Sequence, residues 1–232
     1  MKLIEIEDEF NFKYPELYKK IEEDGMLDVG ENGPNWYSSA FQILKENPTI
    51  LLHSYDFELL NINGIREALD ELTATDDYRQ ISDEFKFIPF GQSGAGDHYC
   101  FFITEQNAKD IPIVLLWHDS GEAEYLTKNF QDFIFKAILT DMSEQDTYNK
   151  IDDEEFKKNI KNVLKTHLKY LNEIQTEILQ NIFEKKIVDY EILLINGRKE
   201  IQRGLLSDIE LQKIISETIT YDNMNLTFKY SK

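Results

Sequence analysis

Two strongly apolar runs, Tyr99–Ile103 and Ile113–Trp117, stand near the middle of the chain, divided by polar and glycine-bearing turns. Short apolar runs bounded by turn residues predict buried strands. A third strand opens with Phe85, Phe87 and Ile88, and Pro89 closes it or marks a sheet edge. The rest of the chain is expected to pack around this sheet. Ahead of it, after a polar lead, Tyr14, Leu17, Tyr18 and Ile21 recur at helical spacing between Pro15, suited to a first helical turn, and Gly25, suited to the residue past the end. Residues 26–35 read as loop. Trp36, Ala40, Ile43 and Leu44 predict a helix over 36–46, with Asn35 as a cap and Pro48 as the stop. The run 49–62 predicts strand, best placed at 55–60. Ile65, Ala68, Leu69 and Leu72 then repeat at three and four, a short helix capped by Asn63, and the polar stretch 73–84 reads as loop.

Beyond the second strand, Asp119, Glu122 and Glu124 read as a solvated turn. Thr127 or Asn129 starts a helix with Phe130, Phe133, Ile134, Ala137 and Ile138 on one face. The final third opens on acidic residues, Asp152 to Glu155. An amphipathic stretch follows, from Phe156 through Ile160, Val163, Leu164, Leu168 and Leu171 to Ile182 and Phe183, with Lys185 and Lys186 at its end. That charge order suits a helix dipole. The stretch predicts one long helix, or two with a break near Asn172, whose apolar stripe is packed core. Lys186–Ile195 predicts a strand and Asn196-Gly197 a turn. Ser207 caps a helix containing Ile209, Leu211, Ile214 and Ile215, and Leu226, Phe228 and Tyr230 alternate as a half-exposed strand. These last elements either extend the first sheet or form a small α+β domain. With no repeat and no low-complexity linker, residues 1–140 and an extension over 141–232 are expected to associate tightly.

Charge changes the picture more than composition does. The net charge is −19, and residues 1–140 hold 27 acidic and 11 basic side chains against 17 and 14 over 141–232. The acidity is therefore concentrated in the first part, which suits solubility or a basic partner. Direct nucleic-acid binding is disfavoured, because phosphate contacts need a basic surface. No run approaches the roughly 18 apolar residues of a spanning helix, and the acidic start lacks the apolar core of a secretory signal, so the expectation is a cytoplasmic protein away from the membrane. Cys100 is the single cysteine. It permits no intrachain disulfide and no cysteine metal cluster, and packs as a small apolar residue in a strand.

Candidate chemistry is sparse. The turn Gly91–Asp97 has Gly91 two residues before Ser93, but Ala95 where a nucleophile elbow needs its second glycine. It also lacks the lysine of a phosphate loop, and its glycines lead into a strand, unlike a dinucleotide fingerprint. Glycines permitting a tight turn explain it. His98 and His118 flank the core strands beside Asp97 and Asp119, an arrangement open to metal or proton chemistry. No third ligand stands at recognisable spacing, so no metal, cofactor or catalytic residue is assigned. An enzyme would have to use His98, His118 or Ser93.

The series Phe87-Ile88-Pro89-Phe90-Gly91, Gly96-Asp97 leading into Tyr99-Cys100-Phe101, Ile111-Pro112-Ile113-Val114, His118-Asp119, and Phe130 with Phe133 in a helix resembles the SUKH superfamily. In that pattern an Ile-Pro-Phe segment leads to a Gly-Asp turn, a strand, an Ile-Pro-Val strand and a helix with a Phe-x-x-Phe pair. Tyr14-Pro15 resembles the opening of its first helix. The resemblance covers about residues 10–138 and departs at Ala95, where the family often has another glycine. It implies an α+β fold, a mostly antiparallel sheet with flanking helices, here followed by the C-terminal extension. The matched positions carry no catalytic residues.

The superfamily includes bacterial immunity proteins and the yeast regulator of cell-wall glucan synthesis. The resemblance thus implies a binding protein that neutralises a cognate toxin by occlusion, the acidic surface favouring a basic partner such as a nuclease. A regulatory scaffold without a toxin is the alternative. The candidate contacts are acids near the sheet's turns, taken as exposed: Asp76, Asp77, Asp97, Asp119, Glu122 and Glu124.

Overall fold

A computed structural model describes residues 2–30, 33–107, 110–145, 151–193 and 197–232. In chain order the elements are α1 (Leu3–Phe10), α2 (Glu16–Glu23), α3 (Ala40–Leu44), β1 (Glu58–Leu59), α4 (Ile62–Leu72), β2 (Phe87–Gln92), β3 (His98–Phe102), β4 (Ile113–Leu116), β5 (Glu122–Thr127) and α5 (Phe130–Ser143). Then come α6 (Asp153–His167), α7 (Glu173–Phe183), β6 (Val188–Leu193), β7 (Lys199–Gly204), α8 (Asp208–Thr218) and β8 (Thr227–Lys229). The chain divides into two compact units, the first comprising residues 1–32, 56–133 and 221–232, the second residues 33–55 and 134–220.

The first unit is built on a six-stranded sheet in the order β1-β2-β3-β4-β5-β8, with every neighbouring pair antiparallel. Side chains alternate across it. Phe87, Cys100, Phe102, Val114, Leu116, Ala123 and Tyr125 point to one face and cluster with Leu72 and Tyr230. Phe90, Phe101, Phe130 and Tyr18 meet on the other, where ring centroids lie 4.8 Å apart for Phe90–Phe101 and 5.2 Å for Tyr18–Phe130. Cys100 is fully buried, and burial pushes its thiol well above the ordinary range. The α+β class, the antiparallel sheet and the strands at Tyr99–Ile103 and Ile113–Trp117 are thus as the sequence predicts.

Several elements differ from expectation for local reasons. The polar lead folds as α1, because Leu3 and Ile6 are buried three residues apart while Ile4 and Glu5 between them face out. Asn61, not Asn63, caps α4: its Oδ1 accepts the Gly64 N–H at 2.9 Å. The run 49–62 is mostly turn and irregular chain, and β1 keeps only two residues of the expected strand. Pro89 sits inside β2 rather than at its end. β1 reaches only Gly91 and Gln92, so Pro89 occupies a stretch without a neighbour on that side, next to a register shift. Glu122 and Glu124 belong to β5, not to a turn, because Ala123, Tyr125 and Thr127, alternating with Glu122, Glu124 and Leu126, are buried. The closing strand β8 extends this sheet beside β5.

In the second unit, Asn35 does not cap. The helix predicted over 36–46 shortens to α3, which has no side-chain cap and buries no residue. The amphipathic stretch resolves into α6 and α7, and Asn172 is the break: its side chain and Gln175 form a capping box opening α7. Ser207 and Glu210 form another at α8, within which Ile209 is 81% exposed. β6 pairs with β7, a strand the sequence reading misses, in a separate two-stranded sheet. Ile195 and Asn196, placed in a strand and its turn, lie outside the described residues. The segment 49–55 is fastened by α6 and α5: the Leu51 N–H donates to His167 Nε2 at 3.0 Å, and the Ser54 hydroxyl to Asp141 Oδ2 at 2.8 Å.

Candidate partner-binding surface

In an antiparallel meander the β2–β3 and β4–β5 turns emerge at the same end of the sheet, and this end gathers the acids singled out from sequence. The β2–β3 turn is built by Ser93. Its backbone N–H donates to the Asp97 carbonyl at 2.9 Å, its Oγ accepts the N–H groups of Ala95 and Asp97, and its hydroxyl donates to Asp97 Oδ2 at 3.2 Å. Gly96 completes the turn at φ +95°, where a side chain is disfavoured. Asp56, just before β1, accepts the Gly94 N–H at 2.8 Å.

Asp97 then ties this turn to the next. Its Oδ1 accepts both the backbone N–H of His118, at 2.9 Å, and the ring Nδ1–H, at 2.7 Å. Burial opposes ionisation of Asp97, but the two bonds from His118 and the one from Ser93 prevail and hold its carboxyl below the usual range. The order of contacts matters for chemistry. A nucleophilic triad needs histidine between serine and carboxylate, whereas here the carboxylate lies between Ser93 and His118. Ser93 itself is buried and spent on the turn. His118 therefore has no route to the serine proton through this arrangement.

A second structure at this end was not visible in the sequence. Arg79, in the loop after α4, is 2% exposed at its side chain. Its Nε donates to Asp77 Oδ1 at 2.9 Å, and its Nη2 to Asp77 Oδ2 at 2.7 Å and to Glu71 Oε1 at 2.8 Å. Hydrogen bonding to Arg79 pulls the Asp77 carboxyl down. His98, buried nearby, is lowered first by that burial and then by the Arg79 charge, with Glu71, Asp97 and Asp77 opposing. Among the described residues no cluster of ligating side chains could hold a metal ion.

The six candidate acids thus separate by what their carboxylates already do. Asp77 is buried on Arg79, not exposed as the sequence reading takes it, and Asp97 is partly buried on His118. Asp76 and Asp119 are exposed. Glu122 and Glu124 are half-buried on the face of β5 opposite Ala123 and Tyr125. Asp56 and the exposed Glu58 of β1 join them, as Glu58 pairs across β1–β2 with Gln92. Neither stood out in sequence, because a lone acid before a two-residue strand has no signature. No helix among the described residues is long and apolar enough to cross a membrane.

The SMI1/KNR4 family (SUKH-1) matches residues 2–136 of the chain. No curated protein and no solved structure matches it.

Proposed function

The chain belongs to the SMI1/KNR4 family (SUKH-1), whose members are immunity or regulator-type proteins that act by binding other proteins, and from that premise we propose that this one neutralises a cognate toxin by covering it. The observation that carries the reading is the charge of the matched region: residues 1–140 hold 27 acidic against 11 basic side chains, and acids converge at one end of its sheet. Such a surface favours a basic partner such as a nuclease domain. Complementary charge raises association rates toward roughly 10⁸–10⁹ per molar per second at low salt. The direct contacts proposed are Asp76, Asp119, Glu122 and Glu124, with Asp77 and Asp97 holding the turns that present them. Inhibition is by occlusion, with no chemistry performed on the partner, and takes place in the cytoplasm.

The test is affinity capture from native lysate at low and high salt, followed by co-expression of the captured protein with the chain. A single dominant basic partner is expected, weakened by salt, lost on joint reversal of Asp119, Glu122 and Glu124 to lysine, and toxic to cells unless the chain is present. Several weaker partners without toxicity would replace this reading by a regulatory scaffold. No partner at either salt would overturn both.

A further inference from the structure

The second unit carries a surface of opposite character. From Phe156 to Asn172 the sequence contains five lysines and no acidic residue, inside a chain of net charge −19. Lys158, Lys161 and Lys165 recur at three and four along α6, which places them on one helical face, and all are exposed. Lys158 and Lys165 hold the segment after α3: their Nζ atoms donate to Glu46 Oε1 at 2.6 Å and Asn47 Oδ1 at 3.0 Å, and Asn162 Nδ2 donates to the Lys45 carbonyl at 2.9 Å. Lys161, between them, has no partner among the described residues. Glu46 is the single acid of residues 33–55, and on α6 itself the exposed Glu154 of the first turn precedes the row on the same face, so the face is positive from Lys158 to Lys165.

These bonds seat α3 beside the lysine row, and α3 buries none of its residues. Ile43 is 75% exposed and Tyr37 58% exposed, and Tyr37 stacks flat on Phe41 at 4.7 Å. A stacked tyrosine and an aliphatic side chain held open beside cations make a mixed apolar and basic patch, the composition of a protein contact rather than of a purely solvated face. We propose that the α6 lysine row and α3 form a docking surface for an acidic segment of a partner protein that carries apolar side chains on one face.

Charge complementarity selects this occupant. A bilayer or a nucleic acid spreads negative charge over an area larger than the protein and meets the net −19 of the whole chain. A short acidic segment interacts within a screening length of about 8 Å, where the lysines dominate. The residues of this surface are none of those assigned to the toxin contact, so it stands or falls independently of the toxin reading.

The test is fluorescence anisotropy of the full chain with a labelled synthetic helix bearing glutamate on one face and leucine on the other. Saturable binding is expected, weakened about tenfold or more by joint Lys161→Glu and Lys165→Glu and also by Ile43→Ser. Lys213→Glu, an exposed reversal on α8, should leave it unchanged. Circular dichroism confirms that these surface variants stay folded. The proposal is overturned by absence of saturable binding, by equal binding of a peptide of the same composition with its leucines scattered, or by tighter binding to phosphatidylserine vesicles or to oligo-deoxythymidine.

Discussion

Arg79 grips Asp77 through two parallel hydrogen bonds, Nε to Oδ1 at 2.9 Å and Nη2 to Oδ2 at 2.7 Å, with 2% and 6% of the two side chains exposed. Removing Asp77 leaves the buried guanidinium only Glu71, whose own side chain is 60% exposed, and loss of one partner of a buried pair costs about 3–5 kcal/mol. Asp77→Ala is therefore expected to lower unfolding free energy in urea by that amount. Replacing both residues together by apolar side chains should recover most of the loss. Because Arg79 holds the Asp77 carboxyl below its ordinary value of 3.8, the contribution is present above pH 3.8 and fades as pH falls through the lower folded value.

His167 gives a second acid response, at higher pH. Burial lowers it from 6.5 to about 4, and its neutral ring both accepts the Leu51 N–H and donates from Nδ1 to the Val163 carbonyl at 2.9 Å. His53 is lowered to about 4 by the same cause. The unfolded chain binds the extra protons first, so this stability is present above pH 6.5 and is lost as pH falls toward 4. Up to about 3 kcal/mol rides on His167. Urea titrations across that window should show a smaller loss in His167→Gln than in the parent. An unchanged slope would remove the residue from this role.

Asp141 runs the other way. Burial raises it from 3.8 to about 7 despite its bonds from Ser54 and the Tyr55 backbone. Its contribution is present below pH 3.8 and is lost as pH rises through 7. Asp141→Asn keeps an acceptor for Ser54 without a charge, and is expected to stabilise the protein by roughly 1–2 kcal/mol at alkaline pH. The side chain retains some surface, so the gain falls short of the full shift. It should vanish on acidification.

Gly91 has a steric rather than an electrostatic role. A Cβ there would lie 2.4 Å from the Phe57 ring, which itself packs on Tyr99 and Phe133 at 5.2 and 6.0 Å. Gly91→Ala is expected to cost about 1–3 kcal/mol by thermal or chemical unfolding, while Gly94→Ala at the exposed turn should cost less.

Elements whose signal is local were legible in the sequence. Asn172 and Ser207 announce α7 and α8 because a capping box needs only four consecutive residues. The buried strands at Tyr99 and Ile113 follow from apolar runs and turns. What failed was set by distance along the chain. The strand expected at 55–60 shrinks to β1 because only Glu58 and Leu59 find Gln92 and Gly91, and β7, which was missed, exists because β6 faces it. The site divides in the same way. The tight Gly91–Asp97 turn was readable from its glycines, whereas the burial of Asp77 by Arg79 depends on where the 73–84 loop lands. Leu51, at φ +56°, carried no mark of the histidine 116 residues away that accepts its N–H.

The outer strands of the six-stranded sheet are two and three residues long, and on the free stretch of β2 one of the few positions open to a newcomer is Pro89, which has no N–H to offer. Ser231, just past β8, is already bridged to Ile81. A stray chain seeking to add itself to this sheet would find hardly a turn's worth of open backbone. Edge-to-edge growth of this sheet is thereby held back at its own margins.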